Sequence, residues 1–199
     1  MQARSTTLAI VFASAILLCH APFRSSPRDV MERYCSLDAN GEQLAPGGWL
    51  RLAKMFVPKH DNLVPNPVVL AFDKLDVIRE YSIDNPTMEG RDRATMTIHY
   101  LCLGELDYNS LRFSQRSGQP SIDEHYNLFL TNHFYGIDSR GNQREMNGSK
   151  IWRIDGLPRK PYITIDTAIR YIARRSSKTT NKALKQNANQ TIEVLQLLQ

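Results

Sequence analysis

The spacing of apolar residues changes twice along the chain. Between residues 30 and 56 it follows a helical period, between 75 and 154 an alternating one, and beyond 166 a helical one again. Each change marks a change of element type. In the first stretch Val30, Tyr34 and Leu37 fall on one face, with Met31 and Cys35 beside them. Ser25 and Ser26 stand ready to cap this helix. Pro27 suits its first turn, Asp29 its positive end, and Asn40-Gly41 its stop. A second helix is predicted over Pro46 to Phe56, with Trp49, Leu52, Ala53 and Phe56 turned inward. Pro58, Pro65 and Pro67 then enforce an extended linker.

The alternating region predicts a short strand at Val68–Phe72 and another over Leu75–Ile83, with Val77, Tyr81 and Ile83 on one side. After a turn at Asn85–Gly90, the longest strand runs from Arg93 to Leu106. Its even positions, Ala94 to Cys102, are apolar, and its odd ones change from polar to apolar toward the end. One face is therefore buried along its whole length and both faces are buried late. Gly104 marks a bulge or bend. Tyr108–Pro120 reads as loop. Glu124–Tyr135 reads as strand, with Tyr126, Leu128, Leu130 and Phe134 facing one way. Gly136–Ser149 reads as polar loop, Lys150–Asp155 as a strand carrying Trp152 and Ile154, and Tyr162–Ile165 as a short strand.

From Asp166 on, Ala168, Ile169, Ile172 and Ala173 form a helical stripe. Ser176–Asn181 is a weak helix former, and Leu184, Ala188, Ile192, Leu195 and Leu198 resume the stripe. Helices followed by a run of strands define an α+β fold: a curved antiparallel sheet against N-terminal helices, plus a C-terminal helix.

Several phrases resemble a known family. They are Val30-Met31-Glu32-Arg33-Tyr34-Cys35-Ser36-Leu37-Asp38, Gly48-Trp49, Tyr100-Leu101-Cys102-Leu103-Gly104-Glu105-Leu106-Asp107 and Leu111-Arg112-Phe113. Trp152-Arg153-Ile154-Asp155-Gly156 and Asp166-Thr167-Ala168-Ile169-Arg170-Tyr171-Ile172 complete the set. Together with the order of elements they resemble exported bacterial proteins of the NTF2-like, or SnoaL-like, cone superfamily. The resemblance covers residues 27–173. It implies a sheet curled into a cone around helices with a pocket inside, and either ligand or partner binding or isomerase and dehydratase chemistry.

The N-terminus adds a compartment. Arg4, the apolar run Leu8–Leu18 and Ala21 have the order of a secretory signal peptide over residues 1–21. The run is too short to span a bilayer. Cleavage after Ala21 and cleavage near Ala15 both satisfy the small-residue rule. Cys19 would suit lipidation, but Leu18 stands where such signals want a small residue. The expected location is exported, periplasmic or extracellular. The expected organisation is signal peptide 1–21, cone domain 22–174 and C-terminal helical tail 175–199. A net charge of +5 spread along the chain gives no basis for a nucleic-acid partner. Of three cysteines, Cys35 and Cys102 lie beyond the signal, and both pairing and separate burial are open to them.

Candidate chemistry is sparse. The chain lacks CxxC, HExxH, GxGxxG, P-loop and GxSxG patterns, so no cofactor or metal is expected. His99, His125 and His133 lie on the polar faces of two strands without ligand spacing. The basic run Arg170, Arg174, Arg175, Lys178, Lys182 and Lys185 reads as a solvated helix face. The residues expected to line a pocket are Tyr81, Tyr100, Tyr126 and Trp152, with His99 and Glu105 the nearby polar candidates for a general base. Aromatic lining with few polar groups suits a small apolar ligand. The function expected is thus binding of a small apolar ligand or a partner protein without catalysis. The alternative is an isomerase- or dehydratase-type enzyme using a pocket carboxylate or histidine.

Overall fold

A computed structural model describes residues 25–57, 73–118, 121–137, 143–156 and 160–199, the side chains of Trp49, Leu50, Ile137 and Gln143 excepted. The signal segment, the proline-rich linker, the Val68–Phe72 strand and the burial of Trp49 lie outside the described residues. Helix α1 spans Pro27–Ala39. Ser26 caps it reciprocally: Asp29 N–H donates to the Ser26 hydroxyl at 3.1 Å, and Ser26 N–H donates to the Asp29 carboxylate at 2.7 Å. Gly41, at φ 74°, turns the chain beyond its end.

Helix α2 is shorter than the expected Pro46–Phe56 and spans Gly48–Ala53. Its end unwinds so that the Met55 carbonyl accepts from Ile154 N–H at 2.8 Å. Phe56 consequently lies in strand β1, Phe56–Val57, which runs parallel to the later strand that holds Ile154 and Asp155. The other strands are β2 (Lys74–Ile83), β3 (Thr87–Met88), β4 (Arg93–Asp107), β5 (Phe113–Gln115), β6 (Ser121–Ile137), β7 (Gln143–Asp155) and β8 (Tyr162–Thr164). They form one sheet in the order β1-β7-β6-β4-β2-β8, with β3 and β5 also paired to β4.

The sheet is mixed rather than antiparallel. Both edge strands, β1 on β7 and β8 on β2, run parallel to their neighbours. Neither edge strand joins its neighbour by a hairpin, so no turn imposes the opposite direction. Three stretches read as turn or loop also pair. β3 lies in the Asn85–Gly90 turn, β5 in the Tyr108–Pro120 loop, and β7 begins inside the Gly136–Ser149 loop. In that part of β7, Arg144, Glu145 and Asn147 are exposed. A ladder wet on both faces keeps its backbone bonds but shows no alternation in sequence.

Side chains are sorted between two cores by bulges. Val77 pairs with Gly104, Ile78 with Cys102, and Glu80 with Leu101, so Leu103 and Arg79 are each an extra residue. The shift at Arg79 changes which residues share a face. Tyr81 and Ile83 pack against the core under α1, whereas Val77 joins the second core, on the opposite face. Val77 therefore does not share their side, contrary to the alternation expected. A further shift between Thr131 and His133 puts Tyr135, not Phe134, into the first core.

The first core joins Val30, Met31, Tyr34 and Cys35 of α1 to Met96, Ile98, Tyr100, Tyr126, Leu128 and Ile154 of the sheet. The second lies under helices α3 (Ile165–Lys178) and α4 (Lys182–Leu197). The break between them falls in the weak helix former, where the Asn181 side chain caps α4 by accepting from Leu184 N–H at 3.2 Å. Ala188 and Leu195 are buried against Leu103, Leu106 and Leu111, and the Thr191 hydroxyl donates to the Leu111 carbonyl at 2.8 Å. Thus the apolar stripe of the last helix is covered by its own sheet, while Leu197 stays exposed. Among the described residues no helix is long and apolar enough to cross a membrane.

Gly104 sits where β5 crosses closest to β4. A Cβ there would stand 2.3 Å from the Ser114 carbonyl oxygen and 2.6 Å from the Phe113 ring. Gly104→Ala is expected to lower unfolding free energy by about 1–3 kcal/mol through overpacking. Urea melts measure it, and an unchanged midpoint would contradict the close approach.

Candidate functional site

The inner face of the sheet brings aromatic rings together beneath α1. Tyr34 meets Phe56 edge-on at 5.5 Å and Tyr126 at 5.8 Å. Tyr100 stacks on Tyr162 at 3.9 Å, and Tyr81 is tilted over Tyr100 at 6.2 Å. Two of the expected pocket residues, Tyr100 and Tyr126, are thereby packed at 1% and 3% exposure. Tyr81 is partly buried beside them. Burial pushes the hydroxyl pKa values of Tyr34, Tyr100 and Tyr126 up.

Asp38 is part of the same interior. It continues the stripe of Val30 and Tyr34 at intervals of four residues, a spacing visible in the sequence, though a polar side chain does not extend an apolar stripe. Its carboxylate accepts from Tyr162 N–H at 3.0 Å and from the Gln43 amide at 2.8 Å. Burial outweighs these donors and pushes its pKa up to about 7. The Tyr162 hydroxyl donates to Glu124 at 2.8 Å.

Further along the same face, Asp76 and Glu105 are register partners. The Lys160 ammonium lies 3.0 Å from Asp76 and 2.7 Å from Glu105. Arg116 reaches the two at 3.3 and 3.0 Å, and Lys74 reaches Glu105 at 3.1 Å. Hydrogen bonds from Lys160 and Lys74, then that from Arg116, hold the Glu105 carboxyl down to about 2. A carboxylate so stabilised is a weak proton acceptor near neutral pH.

His99 lies on the face away from α1, where Nδ1 meets Asp123 at 2.8 Å and Nε2 meets Asp84 at 3.1 Å. These hydrogen bonds raise its pKa. His125 contacts the Thr97 hydroxyl at 3.0 Å and His133 contacts Glu145. Among the described residues no group of three or more His, Cys, Asp or Glu could hold a metal ion. The structure therefore does not bring His99 or Glu105 into the tyrosine cluster.

Trp152 is buried in the same core and also borders a cleft of about 560 Å³ between α1, the end of α2, and strands β6 and β7. Val30, Leu37, Met55, Phe134 and Ile151 supply the apolar wall, and Arg33, Arg51, Lys54 and Arg153 the cationic part. The bulge that turns Tyr135 inward leaves Phe134 at the cleft, where the Arg153 guanidinium lies 4.6 Å over its ring. No sequence pattern announces this grouping, because bulges and the unwound end of α2 assemble it. No protein-family model, curated protein or solved structure matches the chain.

Asp38 makes stability depend on pH. Its folded pKa is raised, so its contribution is whole below about pH 4, the unfolded range, and is lost as pH rises through about 7. Urea unfolding at pH 5 and pH 8 is expected to show a larger loss for the native chain than for Asp38→Asn. Equal losses would contradict the buried carboxylate.

The thiols give a second test. Cys35 and Cys102 are both buried and unbonded. Cys35 lies 3.7 Å from the Tyr100 hydroxyl, and Cys102 lies 3.8 Å from Asp76. Burial pushes Cys35 up to about 12. Native protein should react with a bulky thiol reagent at least about a hundredfold more slowly than an unfolded control, since thiolate fraction and access both fall. Rates near that of the control would contradict the burial.

Proposed function

We propose that this chain is an exported NTF2-like domain that binds a small apolar ligand without catalysis, and that the ligand enters the cleft beside Trp152. One observation carries the reading: the apolar wall of Val30, Leu37, Met55, Phe134, Ile151 and Trp152 borders about 560 Å³ of open space. That volume falls within the range of small-molecule sites. The tyrosine cluster, by contrast, is filled by its own rings. The order of helices and strands and the curved sheet support the superfamily and its cone, and the signal-like first 21 residues support export.

The enzyme alternative draws on Asp38, whose pKa near 7 suits a general base. Its carboxylate is buried and already accepts two hydrogen bonds, which favours a structural role.

The neutral fluorophore N-phenyl-1-naphthylamine should bind the native chain. The double substitution Leu37→Gln with Met55→Gln should weaken it about tenfold or more by placing amides in the apolar wall. Equal binding by a variant with native melting behaviour would remove the cleft from the reading. Turnover of a ketone or enol substrate that is lost in Asp38→Asn would replace binding with catalysis.

A further inference from the structure

Arg153 is buried to 5% exposure, yet it lines the cleft. It has no carboxylate partner among the described residues. Nη1 donates to the Lys54 carbonyl, and Nε is buried with no hydrogen-bond partner. A buried unsatisfied donor is costly to the fold, and more so on a charged group. Nη2 likewise makes no hydrogen bond among the described residues, and Nε with Nη2 carries two parallel N–H bonds in the spacing of a carboxylate's oxygens. Of the cations around it, Arg33 and Lys54 have no ion pair among the described residues, whereas Arg51 is paired with Glu42. Asp29, the single carboxylate on the lining, accepts from Ser26 N–H.

From the buried, unpaired guanidinium beside an apolar wall we infer that the ligand is an amphiphile with one apolar tail and a carboxylate head, the head seated at Arg153. This deepens the ligand-binding reading above and rests on it. The tail lies along Leu37, Met55 and Trp152, and Arg33 and Lys54 supply attraction at the mouth. Burial also lowers the pKa of Arg153, the direction expected for a cation lacking a counter-charge.

Competition against N-phenyl-1-naphthylamine tests the head group. Dodecanoate, dodecanol and dodecyltrimethylammonium share a tail and differ in charge. Dodecanoate is expected to displace the probe at about a tenfold lower concentration than dodecanol, with the cation weakest. Arg153→Gln should abolish that preference while dodecanol still competes. If Arg153→Gln does not fold, the double variant Arg33→Gln with Lys54→Gln, altered at the cleft's cations away from the core, should reduce the preference about threefold. Dodecanol matching dodecanoate on the native chain, or the preference surviving in every folded variant, would overturn the carboxylate head and leave the cleft as an apolar site. Failure of the probe and of all three amphiphiles to bind would overturn the ligand reading itself.

Discussion

The bulged pairing of β2 with β4 is the constraint on which the rest depends. A regular ladder would send Val77, Tyr81 and Ile83 to one face. The extra residues Arg79 and Leu103 instead set Val77 on one face and Tyr81 and Ile83 on the other, and the two faces are buried against different helices. On one side α1 closes over tyrosines. On the other, α3 and α4 cover the leucines at the end of β4. Gly104 follows from the same pairing, since it admits β5 against β4 where no side chain fits.

Polar groups are distributed by how each is satisfied. Asp38 enters the tyrosine core because Tyr162 N–H, left by the start of β8, needs an acceptor there. Asp76 is tolerated in burial because Lys160 and Arg116 meet it from other segments. Arg153 departs from this rule. Among the described residues it has a carbonyl and an aromatic ring but no acid, and it stands beside the open cleft. A charge kept in burial without a partner is costly to the fold, which makes this arginine the place where a ligand anion has most to contribute.

Much of the fold was legible before any coordinate. The serine cap and Pro27 announced α1, the even positions of the long strand announced its buried face, and the Ser176–Asn181 stretch announced the break between the last two helices. Of the candidate site, Trp152 was legible as an aromatic at an apolar phase, and Tyr100 and Tyr126 as members of the inner face. Whether those rings line a space or fill one was not, because a packed ring and a pocket ring have the same alternation. His99 and Glu105 were recognisable as chemically able groups, but their neighbours Asp84, Asp123, Lys160 and Arg116 come from distant positions or other strands.

What the sequence alone determined is the local content: where the main helices and the long strands lie, and which face of α1 and of β4 is apolar. These follow from side-chain periodicity and capping chemistry, which act over a few residues. Tertiary structure decided the rest. Strand direction at the sheet edges, the face to which Val77 turns, the pairing of stretches that read as loops, and the meeting of Arg153 with Phe134 and Lys54 all depend on backbone hydrogen bonds between remote segments. Those bonds are made by groups that every residue carries, so they leave no mark on the order of side chains.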